Sequence, residues 1–443
     1  MYDIRGLVDE QINEGLSHHI GRAFASLISR EQNGKPLTIV VGRDMRASSI
    51  KFEKEVVAGL VASGCTVLMV GLVSTPAFYF SVGHLKADGG IMVSASHNPA
   101  AYNGFKMVRA NAIPVSGMTG IEDLATMIER EDYIPESTGS VEEAPDMPRQ
   151  AVEMEMAHAG ADVVTIKKVV VDSANGMGAQ YLDLLFQHLG VDVERMFWDL
   201  DGSFPNHEAD PFKPENRQAI EERMKQAGAD LGITTDGDGD RMFFVDEKGE
   251  TVDPAIIRGL IAQIELRRVP GATICYDIRP GKITEDMIVE AGGVPSVTRV
   301  GHSLIKEQMR KVGAIFGGES SGHFYYKFPI GVFEGPVCAA LEIMQEISRQ
   351  GKPFSEIVAP LKRYVPSGEI NRRVADKQAV LDAVKKKHAD AKILEIDGVS
   401  MTYPNVWFNL RPSNTEPLIR LNVEAVDQAT MEKYRDELLA MMV

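Results

Sequence analysis

The stretch LGITTDGDGDRMFFV, residues 231–245, sets three carboxylates at alternate positions between two β-rich runs. Asp236, Asp238 and Asp240 repel one another unless something neutralises them. A hard divalent cation held by oxygen does so, and Gly237 and Gly239 let the backbone turn tightly enough for the acids to converge. The acids also occupy positions 1, 3 and 5 of an EF-hand loop, with Glu247 at position 12. That alternative is opposed by Arg241, which stands where the sharp turn needs Gly, and by flanks that read as strands where helices are required.

Three further polar loops each follow a short strand in the same way. SASHNP (94–99) follows Gly90 to Val93, GGESSGH (317–323) follows Ala314 to Phe316, and RPSNTEP (411–417) follows Val406 to Leu410. Ligands of open α/β sheets gather at the carboxyl ends of strands, so four such loops are expected to surround one cleft. Between them, β-rich runs alternate with amphipathic helical stretches. Strands are expected at Leu37 to Val41, Cys65 to Val70, Val169 to Asp172, Val191 to Phe197, Ala272 to Asp277 and Val294 to Thr298. The fold class is α/β: three similar α/β domains with mixed sheets at 1–150, 151–252 and 253–363, then a smaller α+β domain at 364–443. The acidic, Pro-containing stretch from Ile134 to Arg149 reads as a solvated linker or surface excursion.

The 443 residues carry 47 Lys and Arg against 63 Asp and Glu, a net charge of −16, which excludes a broad basic surface for nucleic acid or an anionic membrane. No apolar run approaches the roughly 20 residues of a membrane span, and MYDIRGLVDE lacks the features of a leader. A cytoplasmic protein is expected. Cys65, Cys275 and Cys338 are far apart and set in apolar stretches, as buried free thiols would be.

Each loop has its own chemistry. Ser96 beside His97, with Lys106 in the following NGFK, suits an activated hydroxyl with a nearby cation. The GGESSGH loop contains a G-x-S-x-G match centred on Ser320, yet HFYYKF follows it, a strand where a nucleophile elbow needs a helix. It reads instead as a grip for the hydroxyls of a polyol. In RPSNTEP, small hydroxyls and an amide lie between Arg411 and Arg420, a set suited to a phosphate dianion. The turn at Asn175 to Gly178 has Tyr181 where a dinucleotide fingerprint wants Gly or Ala, so nicotinamide binding is a weak reading.

Taken together, YDIRG (2–6), GRD (42–44), SASHNP with NGFK, DGDGDR, VGHSLIK (300–306), GGESSGH and RPSNTEP resemble the α-D-phosphohexomutase superfamily, in particular its phosphomannomutase/phosphoglucomutase branch. The resemblance implies four domains around a central active-site cleft. It implies an enzyme interconverting hexose 1-phosphate and hexose 6-phosphate through a phosphoserine and a hexose 1,6-bisphosphate, which serves as intermediate and activator. By motif, Ser96 matches the phosphorylated serine, and Asp236, Asp238 and Asp240 with an oxygen on Ser96 match the ligands of one Mg²⁺. His97, Lys106, Arg5 and Arg241 match positions beside the transferred group, with Lys106 as general acid/base. Glu319, Ser321, His302, His323 and Arg279 fall on the sugar side, and Arg411, Ser413, Asn414, Thr415 and Arg420 match the loop for the phosphate that is not moving.

Two departures stand out: Gly239 where the family usually has Ala, and Arg279 where this branch often has Lys. The expected substrates are mannose or glucose phosphates, with phosphoglucosamine as the rival within the superfamily. A non-catalytic calcium- or sugar-phosphate-binding protein is the rival of another class. No nucleic-acid or membrane partner is expected, and the chain should act as a monomer or homodimer.

Overall fold

A computed structural model describes residues 3–279, 281–413 and 416–442. The fold is α/β, and its residues gather into two compact units. One is the chain up to Val252 together with Ser321–Ser355; the other is Asp253–Ser320 together with the chain from Glu356 onward.

In the first unit Thr38–Arg43, Thr66–Leu72 and Gly89–Val93 lie parallel, with Thr38–Arg43 in the middle. TIVVGR reads as a near-continuous apolar run because parallel strands are covered on both faces. Helices Glu14–Glu31 and Ala47–Ala62 supply one cover, packing Phe24, Ile28, Phe52 and Val56 into a core with Ile39, Val41 and Ile91. Tyr102–Arg109 then pairs antiparallel with Gly89–Val93, and Ile4–Leu7 pairs antiparallel with Tyr102–Arg109. This mixed edge brings Arg5 and Lys106 onto strands beside the loop that follows Gly89–Val93.

The stretch from Ile134 to Arg149, expected to be a solvated linker or surface excursion, is in part regular structure. Ser140–Glu143 is a strand paired with Thr66–Leu72, and Met147 opens the helix Met147–Ala159. All four residues of that strand are exposed, so no period-two pattern marks it. Glu142 and Glu143 place charge on a sheet edge, a common guard against further pairing.

A second sheet orders Met242–Val245, Leu231–Thr235, Lys168–Asp172 and Asp192–Met196. Only the first pair is antiparallel, with Thr235 opposite Met242, so DGDGDR is the connection of a hairpin. The returning segment adds the hairpin Phe324–Phe328 with Gly331–Glu334, and the helix Pro336–Gln350. Glu155, buried on the helix Met147–Ala159, accepts the Val337 and Cys338 N–H groups at 2.8 and 3.1 Å and so caps that last helix. Burial pushes its carboxyl up to about 8, against the pull of those two N–H groups.

The second unit holds the parallel strands Val294–Thr298, Thr273–Asp277 and Phe316–Gly318, with helices Pro254–Arg268, Lys282–Glu290 and His302–Val312. Its C-terminal part is different in kind, as expected: an antiparallel sheet ordered Val365–Pro366, Leu418–Ala425, Val406–Pro412, Val399–Thr402 and Lys392–Leu394. The helix Lys377–Lys387 is capped by Asp376, whose side chain accepts from Gln378 N and Ala379 N. The three cysteines are buried and form no disulfide, and burial pushes the Cys65 and Cys275 thiols up to about 12. Among the described residues no helix is long and apolar enough to cross a membrane.

Candidate active site

Within the first unit, the strand ends bring together residues far apart in sequence. Ser96 is 2% exposed and sits at φ 51°, in the left-handed region that non-glycine residues rarely occupy. Its Oγ donates to Asp236 Oδ2 at 3.0 Å and lies 3.1 Å from His97 Nδ1, while its N–H donates to Ser94 Oγ at 3.0 Å. Burial, aided by Arg241 and Arg5, pushes the His97 pKa far down, so its imidazole is neutral.

Asp236, Asp238 and Asp240 are buried, and each offers a carboxylate oxygen within 4.8 Å of the others. Asp236 Oδ1 accepts the N–H groups of Asp240 and Arg241, both at 3.1 Å, which curls the loop around it. Lys106 Nζ lies 2.7 Å from Asp240 Oδ2 and 3.1 Å from Asp238 Oδ2. Burial and the neighbouring Asp240 and Asp238 hold the Asp236 carboxyl well above the usual range. Burial works in the same direction on Asp240, but Lys106 and His323 outweigh it and hold that carboxyl well below. For Lys106 burial is likewise overcome, here by Asp238 and Asp240, and its ammonium is held well above its ordinary pKa.

The donor set fits a hard divalent cation. It offers three carboxylates and a hydroxyl, all oxygen, and Asp238 Oδ1 is buried without a hydrogen-bond partner. Gly239 is at φ +74°, where Gly adopts the turn without the strain an Ala would carry, so this departure from the family pattern costs the loop nothing.

Arg5 donates to Asn98 Oδ1 at 2.7 Å and to Asp3 Oδ2 at 3.0 Å, which ties the first strand to the serine loop. Arg241 Nη1 lies 3.4 Å from Asp210 Oδ1, and its Nε lies 3.9 Å from Asp236 Oδ2. His323 bridges two site residues, with Nδ1 2.9 Å from Ser321 Oγ and Nε2 3.2 Å from Asp240 Oδ1.

In the second unit, Glu319 Oε1 accepts Gly301 N–H at 2.8 Å, at the start of the helix that His302 opens. Arg279 Nε donates to Asp277 Oδ2 at 2.6 Å, and its Nη2 lies 3.8 Å from Glu319 Oε1. Ser320 Oγ is bonded to Asp277 and Arg258 at 3.1 Å each, which gives it a part in a buried ion-pair network rather than a histidine partner. Arg411 and Arg420 stand directly opposite each other on paired strands. Glu369 joins them, with Oε2 3.1 Å from Arg411 and Oε1 3.4 Å from Arg420. Ser413 Oγ accepts Glu416 N–H at 3.2 Å, and Asn414 and Thr415 lie outside the described residues.

The rejected readings fail on geometry as well. Glu247, at the EF-hand's last position, accepts from Ser355 instead of turning to the acidic loop, and both flanks of that loop are strands. The turn at Asn175 to Gly178 buttresses the acidic loop: Met177 N–H donates to Gly237 O at 2.9 Å, and a Cβ on Gly178 would come within 2.1 Å of Thr235 Oγ1.

Other contributors went unread in the sequence. Thr75 donates from Oγ1 to Asp238 Oδ2 at 2.6 Å and from N–H to Asp238 O at 3.0 Å. Its signal was the helix start Ser74-Thr75-Pro76, where Ser74 Oγ accepts Ala77 N–H, but nothing in that signature names the partner. Arg46 lies two residues beyond the GRD motif and reaches the serine loop. Glu334 offers an oxygen within 4.8 Å of the Asp240 and His323 ligand atoms.

Residues 1–133, 154–249 and 253–364 match phosphoglucomutase/phosphomannomutase alpha/beta/alpha domains I, II and III, and residues 369–441 match the C-terminal domain. The chain is 37% identical over 453 residues to a phosphomannomutase of Salmonella montevideo, spanning 100% of this chain and 98% of that protein. It is 36% identical over 444 residues to a phosphomannomutase/phosphoglucomutase of Pseudomonas syringae pv. tomato, spanning 98% and 92%. An X-ray structure of a phosphoglucomutase/phosphomannomutase family protein from Burkholderia thailandensis aligns with TM-score 0.89 at 33% identity, over 99% of this chain and 95% of that one. The protein is therefore a phosphohexomutase, an isomerase. The chain belongs to the phosphoglucomutase/phosphomannomutase family, matched by all four of its domains.

Proposed function

We propose that the protein interconverts hexose 1-phosphate and hexose 6-phosphate, of mannose, glucose or both, through phosphoserine at Ser96 and a hexose 1,6-bisphosphate. The observation that carries this reading is a buried serine hydroxyl 3.0 Å from a triad of converging carboxylates that Lys106 also reaches. Phosphoryl transfer depends on positioning and charge neutralisation more than on covalent chemistry, and these groups provide both. Asp236, Asp238 and Asp240, with an oxygen on Ser96, would hold one Mg²⁺, which supplies charge neutralisation at the phosphoryl oxygens.

The free hydroxyl of the monophosphate attacks the phosphorus on Ser96. A P–O bond to the sugar forms as the bond to Ser96 Oγ breaks; the sugar hydroxyl's proton passes to a protein base, and Ser96 Oγ takes up a proton as it leaves. Lys106 matches the family's acid/base position and is the candidate for proton transfer, and His97, in hydrogen-bond reach of Ser96 Oγ, lies beside the transferred group. Arg5 and Arg241 neutralise the moving group. The bisphosphate then turns, and its other phosphate returns to Ser96. Glu319, Ser321, His302, His323 and Arg279 take the sugar's hydroxyls, and Arg411, Ser413, Asn414, Thr415 and Arg420 take the stationary phosphate.

On this reading the chain serves small-molecule hexose phosphates in the cytoplasm as a monomer or homodimer, with segments 1–150, 151–252, 253–363 and 364–443 as its four domains. Ser96→Ala is expected to abolish turnover in the presence of added sugar bisphosphate while leaving the circular dichroism spectrum unchanged; near-normal turnover would sink the assignment. Coupled assays on mannose-1-phosphate, glucose-1-phosphate and glucosamine-1-phosphate rank the substrates, and a preference for the last would move the protein to the glucosamine branch.

A further inference from the structure

The backbone of the serine loop is held from beneath by one side chain. Arg46 is 1% exposed, and its guanidinium donates to three carbonyls of that loop and to the first of the strand after it: Nη2 to Ser96 O at 2.9 Å and Asn98 O at 2.6 Å, Nη1 to Pro99 O at 2.9 Å and Tyr102 O at 3.0 Å. Its remaining nitrogen, Nε, lies 3.2 Å from Asp44 Oδ2, and the group sits 5.0 Å from the centre of the Phe204 ring. Asp44 Oδ1 accepts Arg46 N–H at 3.0 Å and Ser49 Oγ–H at 2.6 Å, so the base of the side chain is fixed at the start of the helix Ala47–Ala62. Gly202 closes over it, since a Cβ there would come within 2.5 Å of Arg46 Cα.

Ser96 at φ 51° is a strained backbone that persists only where its surroundings over-determine it. A planar guanidinium with a rigid fork of five donors can span four carbonyls; a lysine ammonium, a point charge with three donors, cannot. We propose that Arg46 is a positioning residue that fixes the Ser96 loop so that phosphoserine faces the sugar hydroxyl and not water. This inference rests on Ser96 as the phosphoryl carrier. Loosening the loop lets water attack the phosphoserine, releasing inorganic phosphate and returning the Ser96 hydroxyl.

The test compares full-length Arg46→Lys with wild type by hydrogen exchange and by the ratio of phosphoenzyme hydrolysis to transfer. The expected result is about ten-fold faster exchange in the amides of residues 96–102 and about ten-fold more hydrolysis per transfer, with substrate KM nearly unchanged. Exchange in the helix Ala47–Ala62 should stay as in wild type. General destabilisation lowers hydrolysis and transfer together and leaves their ratio alone. A folded variant with wild-type exchange and a wild-type ratio overturns the proposal. Should Arg46→Lys fail to fold, Asp44→Asn removes the charge partner that orients Arg46 Nε, and unchanged exchange at 96–102 in that variant overturns it equally. If wild type takes no phosphate on Ser96, the carrier reading fails, and the exchange measurement alone then judges the clamp.

Discussion

The acidic loop of the first unit and the paired arginines of the second are both charge clusters, but they are built differently. Asp236 and Asp238 are fully buried, the Lys106 side chain is 3% exposed, and Asp236 Oδ1 is held by two backbone N–H groups. The Arg420 and Glu369 side chains are 37% and 31% exposed, so that pair is open to water, whereas Arg411 beside them is 15% exposed. Groups that stabilise developing charge gain most when preorganised and dry, whereas a site that must take and release a phosphate each cycle is better served by weak, wet pairs. On the proposed function, the buried cluster lies where the phosphoryl group would move and the more exposed one where the other phosphate would rest.

The sharpest way to break this contrast is Thr75→Val, which removes the hydroxyl 2.6 Å from Asp238 Oδ2 and little else. Mg²⁺ affinity measured by calorimetry is expected to weaken by about 10–100-fold, with Thr75→Ser restoring most of it. Unchanged affinity would mean the acidic loop is less tightly specified than its burial suggests. Arg411→Ala comes next: KM for hexose phosphate should rise about ten-fold, from loss of a charge-assisted contact, with kcat less affected. Its melting temperature should barely move, and a large drop would show that this cluster is structural after all. Smallest is Glu369→Gln, which frees both arginines from an exposed carboxylate and should lower KM by less than about five-fold. A rise in KM would make Glu369 an aligner of the arginines rather than a competitor for them.

Much of this contrast could be read from residue order alone. The strand expected at Val169 to Asp172 lies within Lys168–Asp172 and that at Val294 to Thr298 is observed with the same bounds; SASHNP and DGDGDR begin where their strands end, while Phe316–Gly318 and Val406–Pro412 run two residues into the other two loops. Short apolar runs ending in Gly, Asp and Ser are strong local signals. Ser140–Glu143 was hidden because an exposed edge strand carries no apolar alternation. Thr75 and Arg46 were hidden for another reason: their roles come from partners 163 and 50 to 56 residues away, and no local pattern encodes a hydrogen bond to a distant carbonyl. The pairing of Arg411 with Glu369 is of the same kind, since motif reading found the cations and missed the anion between them.

The first unit is written in two pieces, and that has a consequence for its birth on the ribosome. Its early part ends at Val252, but the Val337 and Cys338 N–H groups that Glu155 caps, and the His323 that meets Asp240, belong to the segment that ends at Ser355. At about 5–20 residues per second, roughly 5–20 s of synthesis separate the two. Through that interval the nascent chain carries the Glu155 carboxylate without its helix and Asp240 without His323, so those contacts cannot form before the excursion has been made. A chain cut at Val252 lacks the segment that completes this unit.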